Sequence, residues 1–262
     1  KLVDPDTEAG LVAAVVSAHA AAGRPAQAFR LAAAHGRWDL AARTAVVAIG
    51  RGTDVGVTTT RQWLALVPDG ERQRPELILL DALRTRLDHD PAGGVTLARQ
   101  ALDGFVTAGD EAGEAAALSE LTWGQWAERD VGGILAVYDR AKELAARHEG
   151  SLATMVALVR TAIADLQGEP QVALEHLAGC RSSGQNPAVT ALAWNWTASL
   201  EVLNGDTRAA LRAAERALAA SATLGGRPMQ LVLSLWFHGE VEAALASAAD
   251  WREAHAEISA RD

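Results

Sequence analysis

The sequence predicts an all-α protein built as an array of helical hairpins, and three observations carry that expectation. Alanine supplies 57 of the 262 residues, and it is the best helix former and a poor strand residue. One phrase, a small or polar residue and an acid followed by small residues every three or four positions, recurs along the chain. Glycines and prolines punctuate the rest at helix-length intervals, and no alternating pattern long enough for a strand separates them.

The phrase is clearest from Gly205, where GDTRAALRAAERAL places Ala210, Ala214 and Ala217 on one helical face. It returns from Gly168 and Gly239, and in weaker form from His89 and Arg129, so the successive spacings are 40, 39, 37 and 34 residues. A period of that size accommodates two helices of about 15 residues and two short turns. Two closer copies begin at Gly23 and Gly36. Pro5, Pro25, Pro91, Pro170 and Pro187 each suit the first turn of a helix, where a missing N–H costs little. Gly168, Gly205 and Gly239 suit the left-handed position that ends one, and the acid that follows suits the start of the next. Helices are therefore expected near 5–22, 25–35, 38–50, 57–66, 75–88, 92–107, 111–128, 131–148, 152–167, 170–181, 187–204, 207–223, 228–238 and 240–260. Irregular connections are expected at 50–56, 67–74 and 181–187. The whole reads as a single helical-repeat domain over 1–262, with an N-terminal arm at 1–56 and regular repeats over 57–262.

Composition narrows the function classes. The formal net charge is −9, which argues against a nucleic-acid-binding module, because neutralising phosphates needs a basic face. The lone Cys180 excludes an internal disulfide framework and a multi-cysteine zinc site, and is compatible with a reducing cytoplasm. No apolar run reaches the length of a membrane span, and no signal peptide opens the chain. The chain begins at Lys1 without a methionine and ends at Asp262 within a helical pattern, which leads us to expect a piece of a longer protein.

No catalytic chemistry emerges. The seven histidines form no HExxH pair, and no two lie three or four residues apart, so no metal site is expected. His35, His89, His148 and His238 fall near predicted helix C-termini, where partial positive charge is welcome. Cys180 has no neighbouring base in sequence and reads as buried packing. There is neither a GxSxG elbow nor a phosphate-binding GxxxxGK[ST] loop. Neither an enzyme nor a cofactor is expected.

The phrase GDTRAALRAAERAL resembles the second helix of a tetratricopeptide repeat, with Trp194 and Ala198 at positions used by the first helix. That resemblance implies a right-handed superhelix of tetratricopeptide-like hairpins with a concave inner face. The run VVSAHAAAGRPAQAFRLAAAHGRWDLAARTAV, with Trp63, Leu64, Leu66, Pro68, Arg74, Pro75 and Leu79 beyond it, resembles the helical arm of MalT-type regulators of the LuxR family. This match covers roughly 11–105. It implies a ligand- or partner-sensing domain of a bacterial cytoplasmic transcription regulator. Its partners would be a small-molecule effector or a protein segment, the other domains of the same regulator, and further copies of itself. The alternative is a scaffold whose groove binds a peptide segment without an effector. Read in the repeat frame, Trp123, Trp126 and Trp236 face the inner surface, together with Asp165, Asn195, Ser199 and Arg86, and these are the candidate ligand-binding residues. Trp38, Trp63, Trp194 and Trp251 are assigned to packing.

Overall fold

The structure, a computed structural model, describes residues 4–52, 55–148, 150–182, 187–221 and 243. Among them every regular element is helical: α1 Pro5–Ala21, α2 Pro25–Ala34, α3 Trp38–Gly50, α4 Val57–Leu66, a 3-10 turn at Asp69–Glu71, α5 Pro75–Leu87, α6 Pro91–Ala108, α7 Glu111–Glu128, α8 Val131–Ala145, α9 Ser151–Leu166, α10 Pro170–Ser182, α11 Pro187–Leu203 and α12 Thr207–Ser221. The all-α expectation holds for these residues. The largest boundary difference is at α8, expected to run to 148. There Arg147 and His148 both donate to the Leu144 carbonyl, which tightens the chain out of the helix. The helices expected at 228–238 and, apart from Ala243, at 240–260 lie outside the described residues, as do Trp236, His238, Gly239 and Trp251.

The helices are delimited by a joint that the sequence phrase encodes. His89, Gly109, Arg129, Gly168 and Gly205 all sit at positive φ, between 58° and 81°. At each, the left-handed residue donates to the carbonyl three residues back, and the acid after it donates to the carbonyl five back; at Arg129 the acceptors are Trp126 and Gln125, at 3.1 and 2.8 Å. This satisfies carbonyls that the helix end would otherwise leave without partners. The aspartates then turn round and cap the next helix. Asp90, Asp110, Asp130 and Asp206 accept from the N–H of Gly93, Gly113, Gly133 and Ala209 at 2.8–3.0 Å. One short pair of residues therefore closes one helix and opens the next.

The chain divides into two compact units, residues 1–156 and 157–262, and the division falls inside α9. In the first, neighbouring helices pack in sequence from α1 to α3 and from α4 to α8, but α3 also lies against both α5 and α7. Its burial explains this. Ala41, Ala42, Thr44, Ala45, Val46, Ala48 and Ile49 are all buried, more than one stripe of the helix, and a helix apolar on several sides must be covered on several sides. Trp63 is fully buried and stacks on Phe29 at 4.5 Å between centroids with the rings 3° from parallel. The packing role expected of it is the one it has. In the second unit α11 packs against α10 and α12. Ala198, Ala213 and Ala214 bring α11 and α12 close, with Trp194 packed against them.

Candidate functional site

In the first unit α7 carries the polar groups that matter. Twelve of its 18 residues are buried, and they include Glu114, Ser119, Glu120, Thr122 and Gln125. Burying carboxylates is costly unless each is paired and hydrogen-bonded, and here both are. Arg140 on α8 grips Glu114 with two hydrogen bonds of 2.6 and 2.7 Å. Arg86, in the last turn of α5, does the same to Glu120 at 2.5 and 3.0 Å. The Glu120 side chain is only 3% exposed, and that of Arg86 21%. Burial pushes the Glu120 carboxyl above the usual carboxylate range, against the pull of the Arg86 guanidinium.

Trp123 follows Glu120 by three residues and so shares its face of α7. The Arg86 guanidinium lies 6.0 Å from the centre of the Trp123 ring, at the outer limit of a cation–π contact. Trp126 is half-buried one turn further on. Gln125, on another face of α7 from Trp123, has its Oε1 buried with no donor on it among the described residues. The structure thus brings Arg86 and Trp123 together, with Trp126 on the same helix, and joins them through a buried carboxylate.

In the second unit Asp165, at the end of α9, accepts from the indole N–H of Trp196 at 3.2 Å. Ser199 donates to the Asn195 carbonyl one turn back at 3.2 Å, while the Asn195 side-chain oxygen is buried and receives no donor among the described residues. Trp194 lies under two guanidiniums, Arg181 at 4.6 Å and Arg216 at 4.7 Å from the ring centre.

Sequence reasoning missed Glu120 and Trp196. The signal for Glu120 was present: an acid within the apolar stretch AAALSEL must find a cation once that stretch is buried. Trp196 had no such signal, because its partner is set by which face α9 offers to α11.

The remaining titratable groups give structural readings. Cys180 is buried and its Sγ donates to the His176 carbonyl at 3.7 Å; burial pushes its thiol up, away from the reactive thiolate. His35 lies 3.4 Å from Glu8 and His148 3.6 Å from Glu111, each just beyond a helix C-terminus. Among the described residues no group of three or more His, Cys, Asp and Glu side chains is placed to hold a metal ion, and no helix is long and apolar enough to cross a membrane.

One further concavity was not anticipated. A cleft of about 410 Å³ opens between α4, the connection after it, α5 and α6. Leu64, Leu77, Ile78 and Leu97 line it, and of these Leu77 and Ile78 are buried. Arg72, Gln73 and Gln100 are exposed at its edge, with the Asp81–Arg84 pair inside. Arg84 and Arg86 lie two residues apart on α5, roughly 200° round its axis, so the cleft and the Glu120 pair occupy different faces of that helix.

No family model matches the chain, and no curated protein matches it either.

Proposed function

We propose that this chain is the sensing domain of a bacterial cytoplasmic transcription regulator of the MalT-like, LuxR-related kind. Its hairpins would continue as a right-handed tetratricopeptide-like superhelix whose inner face takes a small effector or a protein segment. Binding there would shift the population towards a form that self-associates and binds DNA through modules outside these residues. The observation that carries this reading is the Arg86–Glu120 pair beside Trp123. An apolar pair would stabilise the α5–α7 contact at least as well as a buried ion pair. A dehydrated pair next to a half-buried indole is better suited to recognition or switching.

The test is the sequence of the gene on either side. A GxxxxGK[ST] loop upstream and a basic helix-turn-helix downstream are expected. Their absence overturns the regulator reading and leaves a peptide-binding scaffold.

A further inference from the structure

We infer that the cleft between α4 and α6 is a binding site for a small aliphatic carboxylate. Its volume, about 410 Å³, lies in the range that encloses small organic ligands, about 300–1,000 Å³. The lining specifies the chemistry in two parts. The apolar part is purely aliphatic, four leucine and isoleucine side chains with no aromatic ring among them, which favours a flexible hydrocarbon body over a flat ring.

The polar part favours an anionic head. Each of the three guanidinium nitrogens of Arg84 donates one hydrogen bond, to Asp81 at 2.7 Å, Asp88 at 2.8 Å and Thr85 at 2.9 Å. Asp81, the one carboxylate of the lining, is thus already paired with a cation. Arg72 is different. Its Nε meets Asp69 at 3.2 Å, but the Asp69 side chain is 99% exposed, where an ion pair is worth little. Both Arg72 terminal nitrogens remain without a partner among the described residues, and they form the planar fork that accepts a carboxylate with two parallel hydrogen bonds. Gln73 and Gln100 line the same cleft, and their side-chain amides make no hydrogen bond among the described residues. An aliphatic chain against the half-buried Leu64 and Leu97 would place its carboxylate at this fork. The inference rests on the cleft alone and holds whichever role the chain plays in a larger protein.

The experiment is isothermal titration of the full chain with sodium octanoate, octan-1-ol and sodium acetate, repeated on Arg72→Gln. Arg72 is exposed and caps no core contact, so the variant should fold, which circular dichroism verifies. Octanoate should bind saturably at one site, at least about tenfold more tightly than octan-1-ol, which lacks the charge. Acetate, which lacks the chain, should not compete. In Arg72→Gln the preference for octanoate over octan-1-ol should disappear. The proposal is overturned by absence of octanoate binding at millimolar concentration, by equal binding of acetate, or by a preference for octanoate that survives Arg72→Gln.

Discussion

Arg129 and His89 occupy the left-handed backbone region with φ of 58° and 67°, where a side chain costs roughly 1–2 kcal/mol that glycine avoids. Both are exposed, so nothing else is lost on replacement. Arg129→Gly should therefore raise the unfolding free energy by about 0.5–1 kcal/mol, less than the full strain because glycine also loosens the unfolded chain. Gly109→Ala makes the complementary case: a Cβ there would meet nothing within 4 Å, and the backbone alone should lower stability by about 1 kcal/mol. Urea midpoints decide both. The joints were legible because the recurring phrase aligned His89 and Arg129 with the glycines of the stronger copies. Glu120 was not aligned with anything, and its environment sets a pH dependence. With its carboxyl raised by burial, the native chain keeps a proton that the unfolded chain has released. Its contribution is thus fully present below the ordinary glutamate range and declines as pH rises towards the raised value. Glu120→Gln removes that decline, so the variant should gain on the parent as pH rises out of the ordinary glutamate range towards the raised value. A parent that instead gains on the variant would mean Arg86 outweighs burial.

Helices were the most readable level, because their ends are chemically marked. Aspartate at five N-caps among the described residues, Asp4, Asp90, Asp110, Asp130 and Asp206, and prolines in first turns fix where the chain can begin a helix, and both are local signals. Asp110→Ala removes the bond to the Gly113 N–H and should cost about 1 kcal/mol. The loss should appear in thermal unfolding with no change in helical content at low temperature. What lies between helices was less readable. The contact of α3 with α5 and α7 depends on partners far along the chain, and the repeat phrase describes only neighbours. The same holds for Trp196 on Asp165, and for the cleft, whose walls come from three helices and a connection. By contrast Arg86 and Trp123 were assigned to one surface because the repeat phase is a local property of each hairpin.

For the molecule as a whole, charge makes the plainest statement. With a formal net charge of −9, the chain should repel a polyanion. The isolated chain should leave duplex DNA unshifted at physiological salt, and a salt-sensitive gel shift at micromolar protein would overturn this. The joints described above have a consequence of another kind. The left-handed residues His89, Gly109 and Arg129 are followed at once by Asp90, Asp110 and Asp130, so the chain holds no slack there in which a length change could be absorbed. One residue inserted after Gly109 would either break the cap or turn α7 by roughly 100°, swinging Glu114 and Glu120 away from Arg140 and Arg86. At these joints length can change without disturbing the contacts on either side only by copying or deleting complete helical units, which is how a sequence of this kind comes to rhyme with itself.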